Sequence, residues 1–565
     1  MNTILNRFFR IVPRGFACAV ALSCMAPASA TDLLIKNVNG YTLNAKGELQ
    51  RFEAMHVVDG KVFATGNARA LAPRARYATE MDGEGKTLLP GLIDAHGHIM
   101  HLGAMQRRID LTDTKTLDEA IARIAAFAER HPESKWLLGG GWNQVIWKLG
   151  RFPVSGELDK AVASRPVWLE RIDGHAGWAN SEAMKLAGIS AKTLDPDGGR
   201  IERDEHGNPT GIFVDAAMEL ITKHIPSPDM GESMAMLDAA LEKLASTGLT
   251  SVHDAGASAD AIGLYRNYAM SGKLTTRIYA MVAGTGEDFD TVSRFGPVLG
   301  YGGDWLTVRS VKLMVDGALG SRGAALLEPY SDAPDQRGLL FSSREQLAEA
   351  MLKAFALGFQ VNVHAIGDAG NRVALDAFSM AYANKRVVGG RDRRNRIEHA
   401  QVVALEDFPR FNALQLIASM QPTHATSDMN MAEDRIGPER LKGAYAWQTF
   451  LKQGTVIAAG SDFPVESPNP FHGLYAAVTR QDRDGKPPGG WIPEQRLTLE
   501  QAFRAFTLDA AYAAQQEDSL GSLEKGKWAD FILVDRDIFA VPPEQLRETR
   551  VLKTFMAGKQ VYAAE

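Results

Sequence analysis

Cysteine is nearly absent from this chain: there are two in 565 residues, Cys18 and Cys24, both within the first thirty. Beyond them a disulfide framework, a thiolate metal site and a cysteine nucleophile are all excluded. Long hydrophobic runs are missing as well. Past residue 30 no stretch reaches the roughly 18 uninterrupted apolar residues of a membrane span, so none is expected. There are no Lys/Arg blocks, and a net charge of −6 argues against nucleic acid as a partner. Low-complexity tracts and repeats of solenoid or propeller period are also missing. What remains is an ordinary globular composition, 45% hydrophobic and 23% charged, long enough for two or more domains. Nothing in it reveals the oligomeric state, and a homo-oligomer is as compatible as a monomer.

The leader has a recognisable grammar. Arg7, Arg10 and Arg14 give a basic start, Gly15 to Met25 is a short apolar core, and Ala28-Ser29-Ala30 is a small-residue cleavage site. Residues 1–30 are therefore expected to be a signal peptide cut near Ala30, leaving an exported, periplasmic or secreted protein. Lipid anchoring through Cys24 fits less well, because bulky Leu22 precedes it closely and the Ala-Ser-Ala site lies just beyond.

Residues 31–89 alternate short strands and turns, with Asp59-Gly60 marking a hairpin. The far end is similar: Asp530 to Val534 reads as a strand, and Val551 to Tyr562 as two more about Ala557-Gly558. Residues 31–89 and 510–565 are expected to pair into one small β-sandwich domain. Between them, over 90–509, apolar strands alternate with helical periodicity. The strands lie at Leu92 to His96, Ser251-Val252, Arg277 to Val282, Val308 to Val315, Phe359 to Val363, Arg396-Ile397, Leu416 to Met420 and Thr455 to Ala459. Eight such units make an α/β chain with a (β/α)8 TIM-like barrel. The length exceeds that fold's usual ~250 residues, and the excess at 111–226 reads as a subdomain inserted after the first barrel strand.

A barrel of this kind keeps its chemistry at the C-terminal ends of its strands. The first ends on His96 and His98, two residues apart and hence on one side. The fourth carries Lys312, the fifth ends on His364, the sixth on His399 and the last on Asp462. Four of the thirteen histidines thus fall at strand ends. A lone His-x-His does not separate metal ligation from core packing, but the set supplies imidazole and carboxylate donors that suit zinc and its neighbours.

These residues sit in Leu89-Pro90-Gly91-Leu92-Ile93-Asp94-Ala95-His96-Gly97-His98, Val311-Lys312-Leu313-Met314-Val315-Asp316-Gly317, Val363-His364-Ala365-Ile366-Gly367-Asp368, Ile397-Glu398-His399-Ala400-Gln401 and Gly460-Ser461-Asp462-Phe463-Pro464. In these motifs, and in Gly521 to Asp530, the chain resembles the amidohydrolase superfamily, in the family-3 branch that includes N-substituted formamide deformylases. The resemblance implies His96, His98 and Asp462 on one divalent metal and His364 and His399 on a second. Lys312 would lie between them as a CO2-derived carbamate. Zinc is the default, with Mn, Co, Ni or Fe as alternatives. It further implies a hydrolase of non-peptide C–N bonds in a small amide, formamide or cyclic amide. The metals would activate a hydroxide, with Asp462 as the general base. Lactone, ester or phosphoester hydrolysis, and a non-catalytic barrel scaffold, are the alternatives the motifs leave open.

Four other residues are candidates for contact with a small-molecule substrate: His175 in the insertion, His253 ending the second strand, His424 in Gln421-Pro422-Thr423-His424, and Trp142.

Overall fold

The protein is described by a computed structural model over residues 32–112, 114–144, 146–171, 176–196, 199–320, 322–388 and 392–565. The leader with Cys18 and Cys24, and His175, lie outside these residues.

Eight strands form the central barrel: β1 (Leu92–Gly97), β2 (Leu249–Ala257), β3 (Arg277–Ala283), β4 (Leu306–Met314), β5 (Gln360–Ala365), β6 (Arg396–His399), β7 (Ile417–Met420) and β8 (Ile457–Ala459). They pair in chain order, every ladder parallel. Between β8 and β1 the ring is tied just past the strand ends, by Asp462 N–H to His96 O (2.7 Å) and His98 N–H to Phe463 O (2.8 Å). The strands are almost wholly buried because helices cover the outside, as a parallel sheet requires. Those helices start where the sequence supplies oxygen acceptors for orphan N–H groups. Asp229 and Glu232 form a capping box on Met230–Ser246, Ser343 and Gln346 one on Arg344–Ala356, and Ser258 caps Ala259–Ser271.

The two chain ends meet as expected. Strands Asn39–Leu43, Leu49–Phe52 and Thr87–Pro90 share a six-stranded sheet with Phe531–Val534, Val551–Met556 and Lys559–Ala563. A four-stranded sheet of Leu33–Lys36, Ala54–Val58, Lys61–Gly66 and Thr79–Asp82 packs on it around Ile35, Met55, Val57, Leu88, Phe531 and Phe555. Asp59 (φ 54°) and Gly60 (φ 77°) turn one hairpin and Ala557 (φ 48°) and Gly558 (φ 72°) the other, the doubly left-handed pair that a tight two-residue hairpin needs.

The sandwich is anchored to the barrel by a buried ion pair. Arg277 on β3 reaches Asp530 with Nε–Oδ2 2.6 Å and Nη2–Oδ1 3.1 Å, and its guanidinium lies between the rings of Trp305 and Trp528. Asp530→Asn keeps the shape and removes the charge on one side. The expected cost is about 1.5–3 kcal/mol, the usual value of a charged hydrogen bond, read as a fall of several degrees in Tm.

Between β1 and β2 the chain builds another six-stranded sheet, in the order Gly199–Arg203, Pro209–Asp215, Ala176–Ala179, Val167–Arg171, Leu137–Trp142, Ile109–Asp110. It has its own apolar clusters, around Trp142, Trp147 and Trp178 on one side and Trp168 and Phe213 on the other.

Candidate metal centre

At the C-terminal mouth of the barrel lies a cavity of about 880 Å³. His96, His98, Lys312, His364, His399, His424 and Asp462 all line it. Strand alternation puts His96 and His98 on one side. The backbone then bends sharply at two donors: His399 (φ 73°) and Asp462 (φ 60°) are both left-handed, a costly conformation for residues with a Cβ that clusters at functional sites. Gly460 sits where a Cβ would lie 2.6 Å from His96 N, so no larger residue fits as the chain turns toward Asp462.

His96 Nε2 stands 3.1 Å from Lys312 Nζ and 3.5 Å from Asp462 Oδ1, and His98 Nε2 is 3.0 Å from the same oxygen. The rings of His96 and His399 have centroids 4.8 Å apart, those of His364 and His399 4.5 Å. One donor atom each from His96, His399 and Asp462 falls within 4.8 Å of the others.

The protonation states suit cation binding. Burial keeps the His96 and His399 imidazoles well below their ordinary pKa and lowers His364 to about 4, so all three are neutral with a lone pair to offer. Burial also lowers the Lys312 ammonium, against the pull of Glu398 and Asp462. For Asp462 burial is the largest influence and works upward, but the hydrogen bond from His98 together with the charges of His96, His399 and His424 outweighs it and holds the carboxyl well below the usual range. One atom in the cluster, His364 Nε2, is buried without a hydrogen-bond partner. Such atoms are rarely left so, and a divalent cation is what this donor set fits.

Sequence reasoning left a supporting layer of side chains unassigned. Glu398 is fully buried, and its Oε2 accepts from His96 Nδ1 at 2.5 Å, leaving Nε2 as the free donor of that ring. Gln421 Oε1 does the same for His399 Nδ1 at 2.8 Å. Asp94, raised to about 7 by burial, accepts from His96 N–H, Ser461 N–H and Ser461 Oγ, and so ties β1 to the Asp462 turn. Asp316 accepts from the N–H groups of Ala325, Ile366 and Gly367. Each of these residues lies in or beside one of the motifs; what was missing was the partner, 22 positions away for Gln421, up to 51 for Asp316, and more than three hundred for Glu398 and for the Ser461 that Asp94 holds. Ligand-orienting carboxylates typically tune metal affinity by 10–100-fold. Glu398→Gln, nearly isosteric, is therefore expected to cost about 10–100-fold in metal affinity, measured as metal retained against graded chelator.

The substrate candidates separate. His424 lines the cavity, with Nε2 3.7 Å from Asp462 Oδ2 and its ring stacked on His399 at 5.9 Å. His253 is inside the barrel instead: it is fully buried, and its Nδ1 meets Arg396 Nη1 at 2.9 Å. Trp142 is placed in the core of the insertion, fully buried, with Nε1 donating to Leu169 O at 2.7 Å and its ring against Trp178. Its size and apolarity serve packing there, and it is not among the residues around the cavity.

Residues 79–562 match the amidohydrolase family. The chain is 35% identical over 549 residues to Protein LONG AFTER FAR-RED 3 of Arabidopsis thaliana, covering 94% of this chain and 91% of that one. It is 28% identical over 546 residues to N-substituted formamide deformylase of Arthrobacter pascens, covering 93% and 97%. Among solved structures, an uncharacterized metal-dependent hydrolase from Pyrococcus horikoshii aligns with TM-score 0.75 and 28% identity, over 90% of this chain and 99% of that one. No helix among the described residues is long and apolar enough to cross a membrane.

Proposed function

This chain belongs to the amidohydrolase family and is a metal-dependent hydrolase; from that premise we propose that it cleaves a non-peptide C–N bond in a small amide, formamide or cyclic amide. The observation that carries the reading is the convergence of His96, His399 and Asp462 on one point at the floor of the cavity. The named relative that acts on a C–N bond, the deformylase, aligns over nearly all of both chains.

The residues around the floor divide the work. His96, His98 and Asp462 would hold one divalent ion, and His364 and His399 a second. Lys312 would be carbamylated between them, its neutral amine taking up CO2 and releasing a proton. Zinc suits imidazole and carboxylate donors best. A divalent metal bound here supplies Lewis-acid polarisation of the substrate carbonyl and makes water a stronger acid. Asp462, ionised and aimed into the cavity, takes the proton of the attacking water. It returns that proton to the nitrogen, which leaves as a neutral amine. His424, unpartnered at Nε2, contacts the substrate from the β7 side. Export by the leader would place this chemistry outside the cytoplasm.

The test is elemental analysis of the purified protein together with turnover of a panel of formamides, acetamides, cyclic amides and lactones. Metal near two equivalents and release of amine from at least one amide are expected. Turnover of lactones alone would overturn the C–N assignment, and full activity after exhaustive chelation would overturn the metal one.

A further inference from the structure

The lining of the cavity has two unlike parts. One comes from the chain after β4 and β5. It is mostly apolar, with Leu313, Leu319, Leu347 and Ile366 beside Ser342 and Gln346, and it includes Met314, which is half-exposed. The other comes from the chain after β7 and β8, where Asp428 and Glu466 line the same space.

Asp428 is a positioned carboxylate. It ends the helix Pro422–Asp428, four residues after His424 and so on the same face, ~6 Å of helix rise along. Its Oδ2 accepts from Gln401 Nε2 at 2.8 Å and from Tyr445 OH at 2.7 Å, both donors buried. Neither bond uses Oδ1, and Asp428 lines the cavity. Glu466 is held on the same wall by Ser427 Oγ at 2.6 Å. Among the described residues no lysine or arginine other than Lys312 lines the cavity. The guanidinium groups beside its rim, Arg322 and Arg435, are paired to Asp332. That the cavity is built for a ligand is independent of this wall: His364 Nε2, on a residue only 8% exposed that lines the same cavity, has no hydrogen-bond partner.

We propose, resting on the hydrolase reading above, that Asp428 is a specificity-determining residue. On this assignment the substrate lays an apolar arm along Leu313, Leu319, Leu347 and Ile366 and places a cationic group between Asp428 and Glu466. Two carboxylates on one wall, with no protein cation to answer them, favour a positive group and repel a negative one. The substrate class is therefore an amide of an amine-bearing or otherwise cationic molecule with an apolar part, and amides carrying a free carboxylate or phosphate are turned away.

Choline and 3,3-dimethylbutan-1-ol share size and hydroxyl and differ by one positive charge, and neither has a nitrogen lone pair for a metal. Calorimetric titration of the zinc-loaded protein with each is expected to show choline binding about tenfold tighter, the factor that 1.4 kcal/mol gives. In Asp428→Asn that ratio should fall toward one; if the variant does not fold, Glu466→Gln carries the same readout. A ratio near one in the wild type, or one that survives the substitution, overturns the assignment. Failure of every amide in the turnover panel would sink the hydrolase reading yet leave this ratio to be read, so the two fall separately.

Discussion

Asp462→Asn is expected to lower kcat by about 10³–10⁴-fold, toward the upper end of what one general acid–base group contributes. The substitution leaves volume and most hydrogen bonds in place but removes the anion. In the structure that anion meets His98 Nε2 at 3.0 Å and His96 Nε2 at 3.5 Å, so the same oxygen would serve both cation and proton. Measuring metal content beside kcat separates the roles. A variant that keeps its metal and loses turnover identifies Asp462 as the proton acceptor. One that loses both shows that its charge is first a ligand. Turnover within tenfold of the wild type would remove Asp462 from the mechanism altogether.

The second large effect is expected at Lys312. A buried ammonium 3.1 Å from His96 Nε2 would repel any divalent ion held by the neighbouring imidazoles, and burial already weakens its hold on the proton. As a carbamate the same side chain becomes an anion able to join two cations. Lys312→Ala is then expected to abolish the second metal equivalent and lower turnover on the order of 10³-fold, since several kcal/mol of charge stabilisation go with the metal. The truncation also opens room where the side chain lay. Added propionate, a carboxylate small enough to enter that room, should restore part of both metal and activity, whereas in Lys312→Arg the guanidinium fills that room and nothing is restored. Full metal content and turnover in Lys312→Ala would overturn the bridging role, and absence of rescue with two metals still bound would overturn the carbamate.

Much of the fold was legible because it depends on local periodicity. Short apolar runs such as Arg277 to Val282 and Thr455 to Ala459, spaced between helical stretches, fit inner strands of a parallel sheet, and capping residues such as Asp229 and Ser343 announce the helices between them. The insertion was visible as excess length between the first and second strands. The ligand candidates were legible for the same reason: donors at or near the C-terminal ends of several barrel strands face one mouth.

What could not be read from the chain depends on distance in space. Glu398 stands 302 positions from the His96 ring it orients, and nothing in Ile-Glu-His says which imidazole that is. Asp428 lies in a polar helix end like many others until Gln401 and Tyr445 are seen to hold it. Trp142 reads as a pocket residue by type and is core by placement, because the insertion must fill a hydrophobic interior of its own.

Sequence alone therefore determined the barrel, the composite sandwich and the set of donors available for a metal, all consequences of pattern along the chain. The tertiary structure decided which nitrogen of His96 and of His399 is free, which side chains are core, and that apolar and acidic side chains line one cavity with these donors. Those properties come from long-range packing, which sets solvent exclusion and hydrogen-bond pairing between residues that share no neighbourhood in the sequence.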